Sequence, residues 1–211
     1  MHSSTVNRLD HDSLRTGISV LSSMDPDLRQ IVSTLGHPPL WSREPGFGTL
    51  IHIILEQQVS LASAQSAFDK LNNAAGDELM PQTFLAFSDS DLKQFGFSRQ
   101  KATYGRELSQ ELTSGTLSLH TLHQLDDASV RDTLMSIKGI GPWTANIYLL
   151  MALRRPDAWP SGDLAVKKAI EDIKDMSETP STEKADDIAQ QWKPWRAVAT
   201  RILWHHYLNR S

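Results

Sequence analysis

Residues Lys138-Gly139-Ile140-Gly141-Pro142-Trp143-Thr144 form the first arrangement in this chain that could do chemistry. Gly139 and Gly141 permit positive φ and close approach of the backbone, Ile137 and Ile140 can plug the gap between two flanking helices, and Pro142 stands where a helix can begin. The unpaired N–H groups at the start of that helix, together with its dipole, suit one phosphate oxygen. A glycine turn between helices is also an ordinary structural connection. Twenty-two residues after Gly141, the loop Ala158-Trp159-Pro160-Ser161-Gly162 delivers Asp163 to the start of a further helix. A carboxylate there is favoured by the helix dipole and can stabilise developing positive charge or orient a water. The plainer reading of Asp163 is a helix N-cap. Asp157 competes for the same role but reads as a turn residue after Arg154-Arg155-Pro156, and Glu56 reads equally well as a buried structural carboxylate.

These residues need helices to position them, and helix signals recur along the chain. Asp25-Pro26-Asp27 puts a capping side chain before a proline at the first helical position, and Gly36-His37-Pro38-Pro39 ends that helix. From Phe47, the positions Leu50, Ile53, Ile54, Ala64, Phe68 and Leu71 keep helical spacing up to Gly76, which predicts one long, largely buried helix. Ser88 and Ser98 resemble caps, with Gly96 and Gly115 as the matching stops. Further helices are expected at about 127–136, 142–153, 163–175, 181–191 and 195–208. No segment alternates apolar and polar residues beside a hairpin turn. The expectation is an all-α fold of about ten short helices, with residues 1–20 a loosely ordered tail or marginal helix.

Composition narrows the function classes. A chain of 211 residues with 39% apolar and 22% charged residues is one domain or two small ones around a substantial core. Zero cysteines exclude disulfide frameworks, thiolate metal sites and cysteine nucleophiles. The polar N-terminus lacks the apolar core of a signal peptide, and the longest apolar run, Ile147 to Leu153, is seven residues against the roughly 20 that span a bilayer. The chain is therefore expected in solution and not secreted: cytoplasmic in a bacterium, nuclear in a eukaryote. Net charge is −4, but six Lys/Arg against three Asp in 131–170, and four Lys/Arg against no acid in 191–211, flank an acidic stretch. A polyanion could be met locally, although helices in mixed-charge proteins also vary this much. The eight histidines show no metal-ligand spacing, and His205-His206 diverge on a helix.

Four stretches together resemble the helix-hairpin-helix DNA glycosylase superfamily, in its 3-methyladenine DNA glycosylase II branch. They are Ile54-Leu55-Glu56-Gln57-Gln58-Val59-Ser60, Ile137 to Ala145, Asp157 to Leu164, and Trp192-Lys193-Pro194-Trp195-Arg196 with Trp204 behind it. The resemblance extends over about residues 24–208. It implies an all-α, two-lobed fold in which residues 1–23 are a polar tail, 24–45 with 161–211 form a terminal lobe, and 46–160 form a central lobe carrying the hairpin at about 128–153. Asp163 would lie in the cleft between the lobes. Some members carry an extra N-terminal β domain, for which 211 residues leave no room.

The activity implied is hydrolysis of the N-glycosidic bond of alkylated purines, 3-methyladenine or 7-methylguanine in type, in duplex DNA, with Asp163 as the catalytic carboxylate. Members that also cut the strand use a lysine early in the helix after the hairpin; Trp143 stands there, so the enzyme would be monofunctional. Trp143, Trp204 and Trp159 would form the base pocket, since a cationic purine stacks well on an electron-rich face. Each of these, like Trp192 and Trp195, is equally of the type that anchors a core. The target base must leave the stack, and Gln58 falls where the family fills the vacated space. Gln57 and Gln58 could instead satisfy buried backbone groups. Lys138, Gly139, Ile140, Gly141 and Thr144 would contact the DNA, while Arg196, Arg201, Lys167 and Lys168 are further phosphate contacts or simply a solvated face. No cofactor is implied, although the hairpin carbonyls could hold a structural monovalent cation. The expected partner is double-stranded DNA containing alkylated bases, met by a monomer and without a membrane. Two other readings stand beside this one: the same scaffold with another base preference, such as a deaminated purine, and a damage-binding module that does not cleave.

Overall fold

The computed structural model describes residues 8–76 and 78–210, and these divide into two compact units. One unit spans Arg43–Tyr148; the other takes the chain up to Ser42 and from Leu149 onward. Among the described residues every regular element is helical and none is a strand.

In the Arg43–Tyr148 unit, α3 (Phe47–Glu56) is apolar nearly all round, with Leu50, Ile51, Ile53 and Ile54 fully buried, which makes it the helix the others cover. The elements that follow are α4 (Leu61–Ala75), α5 (Pro81–Ala86), α6 (Asp89–Phe95), α7 (Arg99–Thr113) and a 3-10 turn at Leu119–Gln124, then α8 (Asp127–Met135). Leu71, Phe84, Leu92, Leu108 and Leu134 bring one buried side chain from each of α4 to α8 into the same core. Local chemistry sets the boundaries. Ser88 and Asp91 form a reciprocal capping box on α6, Gly96 ends it in the left-handed region, and Ser98 caps α7.

The single helix expected from Phe47 to Gly76 is two. It breaks at Gln57–Ser60, where Gln58 takes φ 57° and Ser60 caps α4 by accepting the Ser63 amide at 3.2 Å. Apolar spacing runs on through this break, so periodicity alone did not reveal it.

The second unit contains α1 (His11–Met24), α2 (Pro26–Leu35), α10 (Leu164–Ile173), α11 (Thr182–Ala189) and α12 (Arg196–Leu208), and α9 (Pro142–Met151) passes through the boundary in the chain. Every residue from Ala197 to Leu203 is buried, and α12 packs against α10, α2 and α1. Arg201 sits within that run fully buried, its guanidinium donating to the carbonyls of Leu40, Ala197 and Leu150 at 2.6, 2.9 and 2.9 Å. Burial and the neighbouring Arg154 lower it to about 9, which leaves it cationic at neutral pH.

Residues expected as an N-terminal tail over 1–23 instead supply α1; the first seven lie outside the described residues. Asp10 and Ser13 cap one another's backbone, and Leu14, Ile18 and Leu21 line one buried face. Gly17 lies between them because a Cβ there would stand 2.8 Å from the Trp195 ring and 2.9 Å from Val198. Three apolar residues at helical spacing were the available signal, obscured by the polar residues of the opposite face.

Candidate active site

In the glycine turn between α8 and α9 it is Gly139 that needs to be glycine, whereas Gly141 does not take positive φ and a Cβ on it would meet nothing within 4 Å. Gly139 takes φ 94°, Ile140 N–H donates to the Ile137 carbonyl at 3.1 Å, and Ile137 and Ile140 are buried at 5% and 4% exposure. A Cβ on Gly139 would meet Tyr104 Cγ at 2.1 Å, so the turn rests directly on that ring. Pro142 opens α9, and Ala145 N–H makes the first backbone bond of the helix, to the Gly141 carbonyl at 3.0 Å. Trp143 and Thr144 follow Pro142 in the first turn of α9. Lys138 is exposed and lies 3.7 Å from Glu107. Trp143 is half-buried on the first turn of α9. Thr144 and Ile140 are both buried, so of the expected DNA contacts these two have side chains that face inward.

What holds Thr144 is Gln57. Its Nε2 donates to Thr144 Oγ1 and to the Gly139 carbonyl, both at 3.0 Å. A carbonyl accepts only, which fixes the orientation of the amide. Gln57 therefore satisfies a backbone group, as one reading of the sequence had it, while Gln58 does not. The next residue is exposed, as are Val59 and Leu61 at 47% and 62%. Positive φ at a non-glycine residue costs about 1–2 kcal/mol, so Gln58 keeps it only because its flanks are fixed. They are fixed by Lys101, whose Nζ donates to the Leu55 carbonyl at 2.6 Å, and by Arg43, which grips Glu56 with two hydrogen bonds of 2.5 and 3.2 Å. Burial lowers the Lys101 ammonium. Glu56 is thereby a structural carboxylate. Two carbonyls of the hairpin turn, Ile137 and Gly139, already accept protein donors, and a monovalent cation on this turn would share those oxygens.

In the other unit, Asp163 is the N-cap of α10 and is 9% exposed. Its N–H donates to the Pro160 carbonyl at 2.9 Å, while Oδ1 accepts from the Val166 amide at 2.9 Å and from Trp204 Nε1 at 3.2 Å. The proline loop aims the backbone, the helix amide and the indole aim the carboxylate. Trp204 is half-buried and meets Trp41 edge-on at 6.2 Å; Trp41, at φ 44°, carries no sequence signal that pointed to this place.

Several candidates take other parts. Trp159, expected in the base pocket, is 7% exposed, donates to Asp186 at 2.7 Å and packs against Trp192 at 5.8 Å; it anchors the loop from within the core. Asp157 is gripped by Arg196 through Nε at 2.9 Å and the terminal nitrogen at 2.7 Å, so both belong to an internal pair. Arg196 and Arg201 are thus internal ties and not a basic face. Lys168 pairs with Glu171 at 2.8 Å, and Lys167 is half-buried. Among the described residues no three His, Asp or Glu side chains cluster to hold a metal, and no helix is long and apolar enough to cross a membrane.

Residues 51–195 match the HhH-GPD superfamily of base excision DNA repair proteins. A Bacillus subtilis DNA-3-methyladenine glycosylase is 30% identical over 75% of this chain and 56% of its own length. The chain spans somewhat more than half the length of the first curated relatives it matches, 58% and 56%. Among solved structures, Schizosaccharomyces pombe 3-methyladenine DNA glycosylase in complex with abasic DNA superposes with a TM-score of 0.84 at 23% identity, covering 90% of this chain and 95% of that one. The Bacillus halodurans DNA-3-methyladenine glycosidase does so with a TM-score of 0.74 at 26% identity, covering 92% and 89%.

Proposed function

Because the chain belongs to the HhH-GPD superfamily of base excision DNA repair proteins, we propose that it is a monofunctional DNA glycosylase releasing alkylated purines from duplex DNA by hydrolysis. The observation that carries this reading is Asp163 at the head of α10, with Oδ1 oriented by the Val166 amide and the Trp204 indole.

The chemistry follows from charge. A purine alkylated at N3 or N7 is cationic, so when the C1′–N9 bond breaks and its electron pair leaves with the base, the base departs neutral and needs no proton from an acid. Positive charge then rests on the sugar, and the Asp163 carboxylate stabilises it and orients the water whose oxygen bonds to C1′; the water's proton passes to solvent. Trp204, its ring held by its bond to Asp163, would offer an electron-rich face to a cationic base. The hairpin amides would hold a phosphate, and exposed Gln58 would occupy the space the base vacates. With a tryptophan at position 143 where strand-cutting relatives need a lysine, the product is an intact abasic site.

Single-turnover release of free base from methylated duplex tests this, with Asp163→Asn compared at matched DNA occupancy. Wild type releases 3-methyladenine or 7-methylguanine, the variant is slower by about a hundredfold or more, and the strand stays uncut until alkali is added. Tight binding without release, or release of deaminated purines alone, would overturn the reading.

A further inference from the structure

Two features that the proposed function places against DNA, the exposed Gln58 and the glycine hairpin, are 81 residues apart in sequence, counting from Gln58 to Gly139. Gln57 joins them. Its backbone caps the end of α3 just before the strained Gln58, and its side chain ends on the hairpin, at the Gly139 carbonyl and the Thr144 hydroxyl. Both hydrogens of its Nε2 are spent on these acceptors. Lys101 and Arg43 also hold the end of α3, but they fix it through Leu55 and Glu56, not at the residue that adjoins the break.

We propose that Gln57 is a positioning residue, whose carboxamide locks the turn that displays Gln58 to the hairpin so that both meet the DNA as one body. This rests on the glycosylase reading and deepens it. A side chain pushed into a base stack is pushed back with equal force, and an exposed turn at positive φ yields unless something anchors it. The hairpin supplies the anchor when it grips a phosphate, and Gln57 carries the load between them. Gly139 is the point of attachment: it lies in the hairpin turn ahead of α9, and its carbonyl receives Gln57.

The test is a double-variant cycle. Gln57→Glu keeps the volume and removes both donors, Gln57→Leu removes them without adding charge, and Gln58→Ala removes the inserted side chain. Three readouts are taken for each: circular dichroism for the fold, affinity for undamaged duplex, and single-turnover base release from methylated duplex. Fluorescence of 2-aminopurine opposite an abasic-site analogue reports insertion independently of chemistry. We expect Gln58→Ala to slow release about tenfold in the wild-type background and less than twofold once Gln57 is replaced, each rate being taken at saturating enzyme so that differences in duplex affinity do not enter it. Insertion fluorescence should fall in the Gln57 variants as far as in Gln58→Ala. An equal loss from Gln58→Ala in both backgrounds would overturn the proposal, because a purely structural Gln57 leaves that loss undiminished. Should both Gln57 variants unfold, Thr144→Val removes one of the two acceptors, and it must diminish the Gln58→Ala loss or the proposal fails. If the wild type released no alkylated base but still inserted Gln58, the glycosylase reading would fail while the coupling stood on the fluorescence alone.

Discussion

Gly139→Ala should be among the most damaging single-methyl additions this chain can receive. The new Cβ would stand 2.1 Å from Tyr104 Cγ and 2.4 and 2.5 Å from its two Cδ atoms. Carbon atoms sit comfortably at about 3.5 Å or more, so the ring must retreat by about 1.4 Å. Cγ is the part of the ring nearest its own backbone, and it cannot swing away as the far end of a flexible side chain would. Overpacking of this kind costs about 1–3 kcal/mol, and alanine at φ 94° adds about 1–2 kcal/mol. The sum, about 2–5 kcal/mol, is a large share of the stability of an ordinary domain. Tyr104→Ala should open the space and leave only the backbone cost, so the two substitutions should couple by about 1–3 kcal/mol. Urea unfolding of wild type, both single variants and the double variant, followed by far-UV circular dichroism, measures each corner of the cycle. An equal cost for Gly139→Ala with and without Tyr104 would show that the ring does not support the turn.

Two further outcomes follow from the aspartates. Asp157→Asn should cost about 1–2 kcal/mol through loss of its paired hydrogen bonds with Arg196, yet keep base release within threefold of wild type; a loss as large as that of Asp163→Asn would mean the wrong carboxylate has been assigned. Asp25 gives a pH effect. Burial alone would raise its carboxyl, but the Trp192 indole, the Leu28 amide and the Lys174 ammonium outweigh burial and hold it below 3.8. A carboxylate depressed on folding contributes stability that is whole above the unfolded-chain value and is lost as pH falls through the lower folded one. Acid unfolding of wild type below 3.8 should therefore be steeper than that of Asp25→Asn, and superimposable acid curves for the two would refute the assignment.

What the residues disclosed about this fold was whatever is decided within a few positions. Asp25-Pro26, Ser88, Ser98 and the glycines at 96 and 139 act on their own neighbours, and the helices begin and end where those residues direct. The break at Gln58 escaped because it uses neither glycine nor proline: its left-handed residue is a glutamine held from outside by Lys101, Arg43 and the hairpin. Partner choice across long separations was equally hidden. Nothing near Trp159 announces Asp186, 27 residues on, and nothing near Arg196 announces Asp157, 39 residues back. Arg201 did carry a readable mark, since an arginine embedded in Ala197-Val198-Ala199-Thr200 and Ile202-Leu203 has no polar face to join.

The three aspartates show why such partners matter to function. Asp25 and Asp163 both cap a helix and both receive an indole N–H, from Trp192 and Trp204. Sequence alone ranks them alike, as aspartates at helix starts. Asp25 is 2% exposed and meets the Lys174 ammonium at 3.5 Å, so its charge is spent on folding. Asp157 is likewise spent, on Arg196. Asp163 has partners too, the Val166 amide and the Trp204 indole among them, but it follows a proline and glycine loop, and Leu164 beside it is 63% exposed. The carboxylate is nearly covered, yet the chain turns outward one residue later. Under the proposed function, such a position would let the carboxylate that caps α10 also face a sugar.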